Sequence, residues 1–203
     1  MNALTEGSGF LIVSILVARL RRALDHEATL SRTDQLTGLF NRRAMVELVT
    51  REIAVAKRQS RAASIVCIDL NDFKSANDRF GHQRGDDLLR ECSRLMRSCL
   101  RTSDTIARVG GDEFVVFLPE TSAQQASLLS DRIRAAIDET LDFKVAGVTL
   151  AIGTYTEAPV TSDIETTLRA SDALMYEAKR ARRRTPGTAP LARTVEDEVL
   201  KSG

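Results

Sequence analysis

Tryptophan is absent from this 203-residue chain, histidine occurs twice, cysteine three times and proline four times. Each scarcity removes a class of architecture. Cys67, Cys92 and Cys99 are odd in number and contain no C-x-x-C pair, and His26 and His82 are too dispersed for a zinc set, so neither disulfides nor structural zinc frame this fold. That usage suits a reducing cytoplasm. Cys67 sits in an apolar run, and Cys92 and Cys99 lie seven apart on an expected helix, which favours buried small hydrophobes over redox chemistry.

Charge of one sign is also missing: 29 Lys and Arg face 28 Asp and Glu. With aromatics at only 4%, the chain lacks the basic, stacking surface that nucleic acid requires, so no nucleic-acid partner is expected. Any phosphate site must therefore be local. Long apolar runs are scarce too; the strongest, residues 10–18, is broken by Ser14 and followed by Arg19, Arg21 and Arg22. It is shorter than the ~20 residues a membrane-spanning helix needs. Two readings fit it: the end of a transmembrane helix with its arginines on the cytoplasmic side, or a short self-pairing helix on Val13, Val17, Leu20 and Leu24, interrupted by Glu27. Location is accordingly expected to be cytoplasmic, with association at the inner membrane face through residues 10–18.

What is present reads as alternating elements. One helix is expected over 10–31, after which Thr33 and Asp34 offer caps for a new element. A helix over 42–59 precedes an apolar, β-branched run at 64–70 that reads as a buried strand ending in acid. Leu88, Leu89, Cys92, Leu95, Met96 and Cys99 recur at helical spacing within 84–100. Strand-like runs at 105–109 and 114–118 flank Gly110, Gly111, Asp112 and Glu113, the composition of a hairpin with a glycine-permitted turn. A helix over 122–140, a strand near 148–152 and a helix over 164–182 complete the order, and residues 185–191, with Pro186, Gly187 and Pro190, read as a loose tail. The expected fold is α/β, with a central, mostly antiparallel sheet flanked by helices; the hairpin at Gly110 excludes an all-parallel sheet.

Acid at a strand end and acid on a glycine hairpin are what a magnesium site needs, because hard oxygen ligands must converge while water or phosphate fills the remaining positions. Asp69 and Asp112 are the candidate pair, the Leu70 carbonyl a third oxygen, and Glu113 a further ligand or a base. The same residues are common turn formers, so composition leaves both readings open. Gly110 and Gly111 would let a nucleotide approach the backbone. Lys74, and Lys179 with Arg183 four apart on one helix face, could meet phosphate charge, whereas Arg182 and Arg184 read as a solvated helix end.

The run RVGGDEFVVFLP, from Arg108 to Pro119, closely resembles the signature of GGDEF-domain diguanylate cyclases. DQLTGLFNRR, DLNDFKSANDRFGHQRGDDLL, VTLAIG and ASDALMYEAKRARR resemble further blocks of that family, in family order, over about residues 32–184. The resemblance implies a palm-like sheet and condensation of two GTP into cyclic di-GMP by a homodimer; outside the matched domain, residues 1–31 are expected as an N-terminal helix and 185–203 as a tail. It implies Mg2+, or Mn2+ in its place, held by Asp69, the Leu70 carbonyl, Asp112 and Glu113, with Glu113 nearest the chemistry. Asn77 and Asp86 match guanine-reading positions, and Lys74, Lys179 and Arg183 match phosphate contacts. Gly110 and Gly111 lie against the bound nucleotide. His82 matches a position with a structural hydrogen-bonding role.

A second site follows from the same match. Arg101, Thr102, Ser103 and Asp104 form an R-x-x-D nine residues before Gly110, the family's spacing for an inhibitory product site, with Arg132 as its second arginine. The departures are Asn71 where a second aspartate is common, Ala151 where serine is usual, and Arg182 where glycine is frequent. None falls on an assigned metal or guanine residue. The runner-up implied by the resemblance is a non-catalytic receptor for cyclic di-GMP.

Overall fold

Residues 63–70 are all buried, and the reason is their place in the middle of the sheet. The computed structural model describes residues 31–163, 165–167, 169–170, 173–174, 176 and 193–194. In chain order its elements are β1 (Phe40–Asn41), α1 (Arg42–Arg58), β2 (Ala63–Asn71), α2 (Phe73–Phe80), α3 (His82–Ser98), β3 (Thr105–Arg108), β4 (Glu113–Pro119), α4 (Ala123–Glu139), α5 (Leu141–Ala146), β5 (Thr149–Glu157) and β6 (Arg193–Thr194). The strands form one sheet in the order β1-β3-β4-β2-β5-β6. The β3·β4, β4·β2 and β2·β5 pairs are antiparallel, while the short β1 and β6 join the edges in parallel. The mostly antiparallel sheet with flanking helices is the expected architecture.

Strand alternation divides β2 between two cores. Val66, Ile68 and Leu70 join Phe114, Val116 and Leu118 of β4 against Leu88, Leu89, Cys92 and Met96 of α3 and Leu129, Ile133 and Ile137 of α4. On the opposite face, Ile65 and Cys67 join Val115 and Phe117 against Met45, Val49 and Ile53 of α1. A strand covered on both faces takes apolar residues facing both ways, which is why 65–68 reads as a run and not an alternation. All three cysteines are buried, and burial pushes the Cys92 thiol up to about 12, which makes it a packing group.

Local chemistry sets the helix starts. Asn41 caps α1 by accepting from the Ala44 N–H, and Ser122 and Gln125 form a reciprocal capping box at α4. Asp34 does not start a helix: its carboxylate accepts from the N–H and hydroxyl of Thr37, closing a turn instead. The helix expected over 84–100 begins earlier, at His82, because Gly81, at φ +86°, both ends α2 and opens α3. The strand expected to end near Ile152 runs on to Glu157. Thr154 and Thr156 remain buried there because Ser130 and Ser64 hydrogen-bond their hydroxyls, at 3.1 and 2.7 Å.

The chain divides between Arg32 and Thr33. The helix and apolar stretch expected within 10–30 lie outside the described residues, and of the tail expected over 185–203 only Arg193 and Thr194 are described, paired with Tyr155 and Thr156 of β5. Within the helix expected over 164–182, the described residues are helical, from Glu165 to Tyr176. Among the described residues no helix is long and apolar enough to cross a membrane.

Candidate active site

Asp69 is the last residue of β2 to pair with β4, and it stands directly opposite Glu113, the first residue of β4. Side chains so opposed share a face of the sheet, with Cβ atoms ~5 Å apart, and like charges in that arrangement repel. Asp69 is 6% exposed and Glu113 half-buried, so water screens the pair only in part. A divalent cation would relieve the repulsion. On the other side Asp69 pairs with Ala151 of β5, so the serine-to-alanine departure removes a hydroxyl beside this carboxylate.

Leu70 continues the mouth of the strand by donating its N–H to the Asp112 carbonyl at 3.2 Å. Its own carbonyl points along the same edge, because both main-chain groups of a residue in an antiparallel ladder face one neighbour. Asp112 is half-buried at the bend. Among the described residues no group of three or more His, Cys, Asp or Glu side chains forms a complete metal cage. Two opposed carboxylates and a carbonyl match instead a magnesium ion that keeps water and substrate phosphate as its other ligands.

The conformation of the bend does not itself require its glycines. Neither Gly110 nor Gly111 adopts positive φ, so no left-handed turn demands them. A Cβ on Gly110 would lie 2.5 Å from Glu113 Oε2, which shows the Glu113 carboxylate folded over the Gly110 backbone. At Gly111 a Cβ would meet nothing within 4 Å, leaving that backbone open to approach. The Val109 N–H closes the bend onto the Glu113 carbonyl at 2.9 Å.

Three residues beyond Leu70 the chain enters α2, which buries Phe73 and Ala76 and turns Lys74 and Asn77, three apart, along another side. Asn77 Oδ1 is buried and has no hydrogen-bond partner among the described residues. A Cβ on Gly85 would lie 1.8 Å from that same oxygen, so the amide packs on the backbone immediately before Asp86. The α2-Gly81-α3 corner thus brings Asn77 and the half-buried Asp86 together. An orphaned buried acceptor costs about 1–3 kcal/mol, which turning the amide from Gly85 toward a ligand's N–H would recover. His82 is exposed at the start of α3, and its side chain makes no hydrogen bond among the described residues, so a side-chain role of the kind expected for it is not seen there.

Arg108 is a residue that motif reading passed over. Its guanidinium donates to Asp34 Oδ1 and Oδ2 at 3.1 and 3.2 Å and to the Gly111 carbonyl at 3.0 and 2.7 Å. Burial pushes the Asp34 carboxyl up, but the Thr37 hydrogen bonds and the Arg108 guanidinium outweigh it and hold the group below its ordinary value. No local sequence signal marks a pair separated by 74 positions.

Arg101, Asp104 and Arg132 line one cavity of about 170 Å³, together with Leu118, Thr121 and Leu128. Asp104 Oδ2 accepts from the Arg101 N–H at 2.8 Å, and Arg132 donates to the Cys99 carbonyl at the end of α3. Leu118 lies five positions along β4 from Glu113, about 17 Å at strand rise, which separates this cavity from the hairpin. Lys179 and Arg183, along with Arg182, lie outside the described residues.

Residues 31–185 match the family described as diguanylate cyclase, GGDEF domain. Response regulator PleD of Caulobacter vibrioides is 38% identical over 166 residues, which cover 79% of this chain and 36% of that protein. Diguanylate cyclase DgcS of Shewanella oneidensis is 36% identical over 146 residues, covering 72% and 49%. The chain therefore spans between a third and a half of these relatives. The coiled-coil and GGDEF domain of DgcB from Caulobacter crescentus, solved in complex with c-di-GMP, superposes with a TM-score of 0.70 at 25% identity, covering 87% of this chain and 95% of that one. Sequence and fold agree: the chain belongs to the diguanylate cyclase GGDEF-domain family.

Proposed function

We propose that this chain is a diguanylate cyclase that condenses two GTP into cyclic di-GMP with release of two pyrophosphates. The observation that carries the reading is the opposition of Asp69 and Glu113 at the hairpin mouth, a few residues from the unpartnered Asn77 amide. Mg2+, or Mn2+ in its place, fits Asp69, the Leu70 carbonyl, Glu113 and the adjacent Asp112. A bound divalent ion would neutralise triphosphate charge and polarise the attacked phosphorus.

The chain's own groups do the rest. Asn77 and Asp86 accept from guanine's ring N–H and exocyclic amine, a donor pattern adenine lacks. Lys74, Lys179 and Arg183 hold phosphate oxygens, and the open backbone at Gly111 with Gly110 beside it admits the nucleotide. Each 3′-hydroxyl attacks the α-phosphorus of the GTP on a facing copy; the bond to pyrophosphate breaks, and the hydroxyl proton passes to Glu113. Because each domain carries one substrate, the working unit is a homodimer. Residues 32–184 form the catalytic unit, and residues 1–31 raise the effective concentration of the second copy or attach the chain at the inner membrane face.

The Arg101, Asp104 and Arg132 cavity supports binding of the cyclic product, since guanidinium groups both stack on guanine and fork onto phosphate. A chain that used only this cavity would be a receptor without catalysis, and the same cavity is the observation that keeps this second reading. The test is incubation with GTP and magnesium, with cyclic di-GMP read by chromatography. Product that vanishes in Glu113→Ala supports the cyclase; no product, even with residues 1–31 replaced by a strong dimeriser, supports the receptor.

A further inference from the structure

A groove of about 370 Å³ lies between the outer side of α3 and the turn after Asp34, and neither the hairpin nor the Arg101 cavity uses it. Arg90, Arg94 and Arg97 line it at spacings of four and three, which places them along one side of the helix. No carboxylate lines it. Arg90 pairs with Asp87 at 2.8 Å, an exposed pair weak enough for an incoming anion to share the guanidinium, whereas Arg94 holds Glu91 through two hydrogen bonds, at 2.8 and 2.5 Å, that engage only part of its five N–H donors. The Arg97 side chain has no hydrogen bond or ion pair among the described residues. Its main-chain carbonyl already accepts from the Leu100 N–H at 3.1 Å, so the helix end does not require its charge.

The hydroxyls of the groove have spent their protons. Ser93 donates to the Leu89 carbonyl, Ser98 to the Leu95 carbonyl and Thr37 to Asp34. The donors left facing the space are guanidinium N–H groups, which suits a ligand made of acceptors. The volume falls within the roughly 300–1,000 Å³ of small-molecule sites and exceeds what a single oxyanion fills. We propose that this groove binds a phosphate-bearing anion with more than one phosphoryl oxygen cluster, at a site separate from the catalytic hairpin. Its occupant meets Thr37, whose N–H and hydroxyl both hold Asp34, the partner of Arg108.

The proposal does not depend on cyclase activity, and its test is binding. Full-length chain is titrated with inorganic pyrophosphate in a chelator, without divalent metal, while the backbone amide signals of Thr37, Ser93 and Arg97 are followed by NMR. We expect these signals to shift with saturation below about 1 mM, and the Arg94→Ala/Arg97→Ala double variant to bind about tenfold more weakly or worse. Arg97→Gln, a single exposed change, gives the same direction if the double variant is unstable. A parallel arm co-sediments the chain with phosphatidylglycerol vesicles: loss of vesicle binding in the same variants, without pyrophosphate binding, assigns the phosphate to a lipid headgroup in this groove. Shifts confined to Lys74 and Gly110, or binding in both arms that the variants leave unchanged, overturns the proposal, as does no binding in either arm.

Discussion

Arg108 reaches Asp34 across 74 positions with hydrogen bonds of 3.1 and 3.2 Å, and the same guanidinium holds the Gly111 carbonyl. One side chain therefore ties the first turn of the domain to the bend that carries Asp112 and Glu113. With the Arg108 and Asp34 side chains only 13% and 24% exposed, this pair is shielded more than the surface ion pairs of α3. Arg108 acts as a positioning residue for the hairpin.

The depressed carboxyl of Asp34 makes a prediction about acid stability. A group whose folded pKa lies below its ordinary value, here 3.8, adds stability that is present above that value and is lost as pH falls through the folded pKa. Asp34→Asn is expected to lose about 1.5–3 kcal/mol at neutral pH, the usual worth of charge-assisted hydrogen bonds. The difference from the natural chain should shrink below about pH 4. Urea unfolding at a series of pH values measures both.

Gly85→Ala sets a methyl group where Asn77 Oδ1 now sits. The amide must move, so the expected effect is a GTP KM raised by about tenfold or more with a smaller change in kcat, because one guanine hydrogen bond is worth roughly that much. Asn77→Ala should match it, and adding both changes should cost little beyond either alone. Steady-state kinetics on the three variants checks the expectation.

Gly110→Ala and Gly111→Ala should separate two uses of glycine. The first drives a Cβ to 2.5 Å from the Glu113 carboxylate and displaces it, whereas the second meets no protein atom within 4 Å. We expect Gly110→Ala to lower kcat by about 100-fold, the lower range for misplacing an acid–base group. Gly111→Ala should leave thermal stability unchanged and act on GTP binding alone, a split that turnover and melting measurements resolve together.

In the second cavity, Arg101→Ala is expected to relieve inhibition by added cyclic di-GMP at least about tenfold, as loss of a charge-assisted contact implies. Initial turnover should be unaffected. Arg132→Ala should do the same, since Arg132 faces the same space from α4. Inhibition curves with added product provide the check.

Much of this was legible in the sequence for identifiable reasons. The run from Ser64 to Leu70 announces a buried strand, and the helix expected over 122–140 is found as α4, one residue shorter at each end. The short α2 was not, because Phe73 and Ala76 are its only buried residues and polar motif residues surround them. The six-residue α5 carries too little period to detect. Thr154 and Thr156 concealed the end of β5, because their burial depends on hydroxyl partners supplied by other elements. At the site, acids and glycines were visible, while the Arg108 brace and the contact of Asn77 with Gly85 are products of tertiary structure.

The most direct test of the central claim is the stoichiometry of the reaction with purified chain, GTP and magnesium. Cyclic di-GMP and pyrophosphate should appear in a ratio of about 1:2, with two GTP consumed per product, and both should disappear in Glu113→Gln, since Glu113 faces Asp69 at the hairpin mouth. Pyrophosphate without cyclic di-GMP, or equal turnover in Glu113→Gln, would contradict the account.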